Sequence, residues 1–168
     1  TGAITTVAAL DFEKTGSYTL TATVTDNVPD NSADKKITTI TATLTINVNN
    51  VNEAPAVVVP GTLSVDEDDT LKVAGISVTD PDGLPQTGVE PGELSVKLEA
   101  GKGTLALTDT SGISMVAGAS GTKTVTLKGK LAGLNNALSK LGYAPEKDFN
   151  GSDTLKIDVD DLGTQGSG

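Results

Sequence analysis

The chain contains no cysteine, no histidine, no tryptophan and no arginine, so all twelve of its basic residues are lysines. These absences exclude thiolate and imidazole nucleophiles, transition-metal sites built on histidine or cysteine, and the guanidinium fork that binds phosphate or carboxylate groups at two points. A chain without cysteine is compatible with either redox compartment. We therefore expect a protein that is not an enzyme.

Aromatic residues are also scarce, at 2% of the 168 residues. A core built almost without them has to bury aliphatic and threonine side chains, which suits a fold of many short strands. No apolar run approaches the ~20 residues that cross a bilayer, and the sequence shows no signal-peptide pattern. We expect a chain that does not span a membrane.

The charge balance is strongly acidic, with a formal net charge of −10 and an isoelectric point near 4.3. This balance argues against nucleic acid as a partner, because neutralising phosphates requires clustered basic residues. An acidic excess serves solubility, or it supplies carboxylates for hard divalent cations. The positions of the acids have to distinguish these two interpretations.

Apolar and polar residues alternate with a period of two along most of the chain, which predicts β-strands separated by glycine and proline turns. The predicted strands are residues 3–9, 17–25, 41–48, 57–59, 70–78, 94–98, 104–107 and 125–127. Short strands at this spacing are typical of a β-sandwich. The predicted fold class is therefore all-β.

One segment has helical periodicity instead. Leu131, Leu134, Leu138 and Leu141 are spaced three, four and three residues apart, which predicts a short helix that covers one side of the sandwich. The segment also contains Asn135 and Asn136, which we interpret as helix surface rather than as ligands.

A polar segment, Asn-Asn-Val-Asn-Glu-Ala-Pro at 49–55, stops the strand predicted at 41–48. Asparagine competes for backbone hydrogen bonds, and Pro55 removes a donor and keeps the preceding residue extended. A flexible linker would be rich in glycine and serine, whereas this segment carries a proline and side-chain oxygens. It is predicted to be a stiff joint that is able to hold a cation.

An internal repeat relates the two halves, because residues 11–26 align without gaps on residues 146–161. Gly16 matches Gly151, Thr19-Leu20 matches Thr154-Leu155, and acidic residues recur in register. This self-similarity is the mark of a tandem array. We expect a C-terminal part of one domain at 1–49, a linker at 50–56, and a second domain at 57–168 that lacks a last strand equivalent to 40–48.

Five motifs together carry a family resemblance. They are LDFE at 10–13, NVNEAP at 50–55, VTDPDG at 78–83, LAGLNNALSKLGYAP at 131–145 and FNGSDTLKIDVDD at 149–161. Their order resembles that of the cadherin repeat, and the second half is similar to the bacterial cadherin-like tandem repeats of large secreted (RTX-type) surface adhesins. The resemblance implies tandem cadherin-like β-sandwiches with an immunoglobulin-like Greek key, and Ca²⁺ at the joints between them.

The resemblance also implies which residues bind the metal. At the first joint they are Asp11, Glu13, Asn50, Asn52, Glu53, Asp80, Asp82 and Asp161; at a second joint they are Glu67, Glu146 and Asp148. Calcium prefers about six to eight oxygen ligands, which carboxylates and amides supply. Taken singly, the Asp80–Gly83 motif reads as a plain turn and the acids at 66–69 as a solvated charge run. At the first joint, the recurrence of acids at matching positions favours metal, whereas at the second joint both interpretations stay open.

We therefore expect a calcium-rigidified extender module of a repetitive bacterial adhesin that supports adhesion or biofilm formation. The resemblance implies a location on the surface of a Gram-negative bacterium and secretion by a type I system. Its partners would be neighbouring repeats, with a glycan, peptide or cell-surface ligand held through other domains. One alternative is a carbohydrate- or peptide-binding module, or a split scaffold with a binding domain inserted after residues 163–166. Another is an enzyme that uses carboxylate pairs such as Asp66 and Asp68 as acid and base.

Overall fold

The computed structural model describes residues 4–25, 39–84 and 90–163. Within them the chain is all-β with one short helix, as predicted. The strands are β1 (Ser17–Thr25), β2 (Thr39–Asn47), β3 (Ala56–Val58), β4 (Leu71–Lys72), β5 (Ser77–Thr79), β6 (Glu93–Ala100), β7 (Gly103–Leu107), β8 (Ile113–Gly118), β9 (Thr124–Lys130), β10 (Leu141–Pro145) and β11 (Leu155–Asp160). The helix is α1 (Leu131–Leu138). The chain divides into two compact units between Asn50 and Val51.

The first unit contains the antiparallel pair β1–β2, which is in register from Ser17↔Asn47 to Thr25↔Thr39. The register places Leu20 opposite Leu44 on one face, as period-two alternation requires. Both leucines are exposed. A two-stranded ribbon buries too little apolar surface to be stable alone, and the assignment of this unit as part of a larger domain stays a prediction.

The second unit is a sandwich of a four-stranded sheet, in the order β11-β6-β9-β8, and a three-stranded sheet, in the order β4-β10-β7. A small sheet of β3 and β5 adds to these. The alternation along β6 buries Leu94, Val96 and Leu98 and leaves the residues between them half-buried or exposed. This pattern fixes which face of the four-stranded sheet points into the core.

The core of the second unit is aliphatic. Its fully buried side chains are Leu94, Leu98, Leu105, Leu127, Leu134, Leu138, Leu141, Val78, Val96 and Val125. Tyr143 is only partly buried against this cluster. Leucine and valine fill the core in place of the scarce aromatic residues, and helix α1 supplies Leu134 and Leu138.

Two strand predictions were wrong, and strand β8 was missed. Residues 4–9 form no strand, and Val7 is fully exposed, so the alternating pattern there has no core to face. The strand predicted at 70–78 is broken into β4 and β5, because Gly75 adopts a φ of +90° between them. Strand β8 was not predicted, since ISMVAG has no clean alternation and contains an irregularity in register between Met115 and Ala117.

The helix ends earlier than the leucine spacing predicts. It stops at Leu138, and Leu141 begins β10, where it is fully buried as a strand residue. A buried leucine satisfies the helical spacing and the strand equally well, so the periodicity could not place this boundary. The segment at 26–31, where Asn27, Pro29 and Asn31 predict a turn between the strands at 17–25 and 41–48, lies outside the described residues. Across the described part of the chain, no helix is long and apolar enough to span a membrane.

The two copies of the internal repeat share an order of elements but differ at the glycine. In each copy a short turn precedes a glycine and a strand, and β1 ends at Thr25, which aligns with Asp160, the last residue of β11. A Cβ added to Gly16 would lie 3.2 Å from the ring of Phe12, so the glycine leaves room for that ring. Gly151 instead adopts a φ of +144°, and a Cβ there would make an ordinary contact with the Phe149 ring at 3.5 Å.

Asp109 ties the loop after β7 to the end of helix α1. Its carboxylate accepts hydrogen bonds from the Ser111 backbone at 2.9 Å and from Asn136 Nδ2 at 3.0 Å, and it pairs with Lys140. The Lys140 ammonium, followed by the Ser111 amide and Asn136, holds the pKa of Asp109 well below its ordinary value of 3.8. The ionised carboxylate is therefore favoured in the folded protein.

We expect Asp109→Asn to lower the free energy of unfolding at neutral pH. Because the pKa is depressed in the folded state, the stabilisation is present above the ordinary value of 3.8 and is lost as the pH falls through the folded value. Urea unfolding at a series of acidic to neutral pH values measures this, and the difference from the native chain should shrink as the pH falls. Lys140→Met is the companion variant. Fully additive effects in the double variant would contradict a shared interaction.

Candidate metal centre

The loop after β5 buries two carboxylates. Asp80 and Asp82 are each only 3% exposed. Asp80 Oδ1 accepts hydrogen bonds from the backbone N–H of Asp82 at 2.9 Å and of Gly83 at 3.2 Å, which folds the Asp-Pro-Asp-Gly sequence into a tight turn. A Cβ at Gly83 would lie 3.2 Å from the Asp80 Cβ, so this turn has little room for a side chain there. The turn directs both carboxylates toward one end of the sandwich.

Two further segments of the second unit reach these acids. The backbone N–H of Glu53 donates to Asp82 Oδ2 at 2.8 Å, and Asn52 Nδ2 donates to Asp161 Oδ2 at 2.7 Å. Asn52 and Glu53 precede β3, whereas Asp161 directly follows β11. Residues far apart in sequence thus converge, and the structure brings five of the predicted ligands together: Asn52, Glu53, Asp80, Asp82 and Asp161.

The electrostatics of this cluster favour a cation. Burial, and secondarily the charges of Asp82 and Asp161, raise the pKa of Asp80, although its backbone hydrogen bonds act in the opposite direction. Carboxylate oxygens of Glu53 and Asp82 lie within 4.8 Å of each other. The pKa of Asp161 is lowered instead, because the Gly163 backbone and Asn52 donate hydrogen bonds to its carboxylate. Negative charges therefore stand close together in a partly dehydrated place, where they repel one another.

A small cavity lies among these residues. Its volume is about 10 Å³, and its lining includes Asn52, Asp80, Asp82 and Asp161. A space of this size accommodates roughly one water-sized particle. Asn52 Oδ1 is buried and has no hydrogen-bond partner within the described residues. A hard divalent cation would fit this donor set, because it takes carboxylate and amide oxygens and would neutralise the charge.

The remaining first-joint residues lie in the first unit. Asp11 and Glu13 flank Phe12 at the turn before β1, and Asn50 is the last residue of the unit. Lys14 binds Asp11 through its ammonium at 2.6 Å and its backbone N–H at 3.0 Å, and the side-chain bond is the larger cause of the lowered Asp11 pKa. The role of these three residues as ligands stays a prediction.

The predicted second-joint acids have other partners in the structure. Glu146 pairs with the Lys123 ammonium, which lowers the Glu146 pKa. The backbone N–H of Asp148 donates to Asp68 Oδ1 at 2.9 Å, and Glu67 is exposed. Among the described acids, Glu67, Glu146 and Asp148 do not form a group of three converging carboxylates. Their assignment to a second metal site also stays a prediction.

One residue beside the centre was not identified from the sequence. Asn135, interpreted as helix surface, is half-buried, and its side-chain amide binds the backbone of Val78 two residues before Asp80. Asn136 is likewise half-buried and binds Asp109. Helical periodicity identifies the apolar face, but it carries no signal for an amide that binds the main chain of a strand.

A second concavity of the same unit is wide and open. Its volume is about 580 Å³, and it lies on the outward face of the four-stranded sheet, where Ser95, Lys97, Thr126 and Asp158 meet Pro55. None of the described residues that line it is aromatic. It therefore has the polar groups of a ligand site without a platform on which a sugar ring could stack.

No family model, no curated protein and no solved structure matches this chain. The interpretation of the centre accordingly depends on its own residues.

We expect Asp80→Asn to raise the thermal stability of the protein in a chelator. The substitution removes a buried charge beside Asp82, while the amide Oδ1 still accepts the two backbone hydrogen bonds. Differential scanning calorimetry in EDTA measures the change. Asp160→Asn is the control, because the exposed Asp160 also accepts a backbone N–H, from Leu162 at 2.7 Å, but lies outside the cavity lining. A lower melting temperature for Asp80→Asn than for the control would contradict charge repulsion at Asp80.

Proposed function

We propose that this chain is a calcium-rigidified structural module of a repetitive bacterial surface adhesin and that it supports cell adhesion or biofilm formation by holding neighbouring repeats in an extended array. The module itself carries out no reaction. The observation on which the proposal chiefly depends is the convergence of Asn52, Glu53, Asp80, Asp82 and Asp161 from three separate segments of the second unit.

The geometry suggests how the cation would act. Asn52 and Glu53 belong to the polar linker segment, and in the second unit Asn52 donates to Asp161 beside β11 while the Glu53 backbone donates to Asp82 beside β5. Calcium bound to oxygens from all three segments would crosslink them and relieve the repulsion between their carboxylates. The linker segment would then be held rigidly against the sandwich. An extender module needs such rigidity to keep its array extended.

The acidic composition and the internal repeat support the same function. A tandem array of sandwiches gains length by repetition, and each joint needs its own stiffening. Modules in extracellular media bind calcium with dissociation constants of about 10⁻⁴ to 10⁻³ M, and they do so with carboxylate and amide oxygens of the kind that converge here. We accordingly propose an extracellular location on the bacterial surface, with neighbouring repeats as partners.

We expect calcium to raise the melting temperature of the native chain by about 5–10 °C at a concentration one hundred times the dissociation constant, since binding to the folded state alone adds about 2.7 kcal/mol. The double variant Asp80→Ala, Asp82→Ala should lose most of this shift. Calorimetry without calcium and with calcium at about 10–100 mM, one hundred times the dissociation constants given above, measures both.

The matched control is Asp66→Ala with Asp69→Ala, which removes the same charge from an exposed turn of the second unit. It should keep the shift. A native chain whose melting temperature does not respond to millimolar calcium would refute the proposal.

The second concavity, on the outward face of the four-stranded sheet, supports a second candidate function, a module that binds a carbohydrate or a peptide. Lys97 and Asp158 stand opposite each other on neighbouring strands there and could orient a polar ligand. A glycan and peptide array probed with the whole chain in calcium distinguishes the two functions. We expect no saturable binding, because the concavity lacks an aromatic platform. Binding that Lys97→Ala abolishes would favour the binding module.

A further inference from the structure

We infer that Asn135, on helix α1, is a positioning residue for the metal centre: it fixes the strand that carries Asp80 and Asp82 and so sets the affinity of the site for calcium. The inference rests on the proposed function, since it concerns the same site. It adds that calcium binding is coupled to the packing of a helix in the core.

The contact between Asn135 and Val78 is made by two hydrogen bonds. The backbone N–H of Val78 donates to Asn135 Oδ1 at 2.8 Å, and Asn135 Nδ2 donates to the carbonyl oxygen of Val78 at 2.9 Å. A primary amide presents a donor and an acceptor side by side, as a backbone peptide group does. Asn135 therefore binds β5 in the way that a neighbouring strand would.

The contact between Asn135 and Val78 matters because β5 is a short strand at the edge of its sheet. Its three residues pair with β3 on one side, through Val57↔Val78 and the residues flanking them. An unpaired edge exposes backbone groups that are costly to bury, and the Val78 side chain is only 1% exposed. The Asn135 amide satisfies these groups on the second side.

The helix holds the acidic loop at a second point. A Cβ placed on Gly83 would approach Leu131 Cδ2 to 3.3 Å, so the loop backbone lies against the first residue of α1. Asn135 thus holds the chain just before Asp80, and Leu131 meets it just after Asp82. Leu131 is one turn away from Asn135 on the same helix face.

Only Thr79 separates Val78 from Asp80, which is too short a span to absorb a shift of the strand. A misplacement of ligands by a fraction of an ångström weakens a metal site, because coordination distances are narrow. Releasing Val78 would therefore spread the positions of both buried carboxylates. Linkage is reciprocal, so calcium should in turn hold the helix more firmly against β5.

The test compares Asn135→Ala with Asn136→Ala in the full chain. Asn136 is the matched control: it is the next residue of the same helix, is also half-buried, and binds a different loop through Asp109 Oδ2 at 3.0 Å. Each substitution removes tertiary hydrogen bonds of an asparagine side chain. A purely structural role would make the two variants equivalent in calcium binding.

The first measurement is the calcium dissociation constant, by isothermal titration at a temperature where all three proteins are folded by circular dichroism. We expect Asn135→Ala to raise it roughly 10–100-fold, as the loss of a group that orients metal ligands does, and Asn136→Ala to leave it within about twofold of native. Asn135→Ser, which keeps one hydrogen-bonding group, should give a smaller increase and serves if the alanine variant does not fold.

The second measurement is amide hydrogen exchange, followed residue by residue by NMR. In the metal-free protein, Val78 should exchange faster in Asn135→Ala than in native or Asn136→Ala, because its N–H loses its acceptor. In the native chain, calcium should slow exchange across α1, and Asn135→Ala should remove this effect.

The outcomes test the positioning role of Asn135 separately from the calcium site itself. Native binding that Asn135→Ala and Asn135→Ser leave unchanged, or that Asn136→Ala weakens equally, overturns the inference and leaves the proposed function standing. A native chain that binds no calcium overturns the proposed function and the inference together. A selective loss of affinity in Asn135→Ala, accompanied by faster Val78 exchange, supports the positioning role.

Discussion

A carboxylate that moves from water into a protein interior loses its hydration. The cost is several kcal/mol, which hydrogen bonds or an opposite charge have to offset. Asp80 and Asp82 are almost completely buried within three residues of each other. The turn supplies two backbone donors to Asp80, and the Glu53 amide supplies one to Asp82. These bonds compensate the dehydration in part, but not the mutual repulsion of the charges. The linker segment, the loop after β5 and the end of β11 meet around the cavity where these charges stand close together.

The rest of the second unit provides a rigid frame for these acids. Its core is made of leucine and valine, with helix α1 packed against the sheets, and the helix connects that core to the polar end through Asn135 and Leu131. At the other end of α1, Asn136 and Lys140 bind Asp109. One short helix therefore fixes two loops, each through side chains that bind groups outside the helix. The stability of the sandwich and the geometry of the candidate metal centre are linked through this element.

Sequence periodicity predicted the elements whose side chains face one core. The alternation along β6 and β9 and the leucine stripe of α1 each report a buried face, and these predictions agree with the structure. Periodicity failed where one pattern fits two structures, as at Leu141, or where a glycine with positive φ interrupts a strand, as at Gly75. Motifs on separate segments pointed to one chemistry for the acids of the centre, and their role as metal ligands stays a prediction. The contact of Asn135 was not predictable, since it depends on which main-chain group lies opposite the side chain.

The alignment of β1 with β11 bears on how such a chain avoids misfolding. The apolar positions match in character, with Leu20, Ala22 and Val24 aligned to Leu155, Ile157 and Val159. The positions between them do not, since Thr21, Thr23 and Thr25 align with Lys156, Asp158 and Asp160. Repeated sequences are prone to exchange equivalent strands during folding, and charges on an edge strand oppose such pairing. The lysine and aspartates of β11, an edge strand of its sheet, therefore distinguish it from the threonine-bearing β1 as a pairing partner.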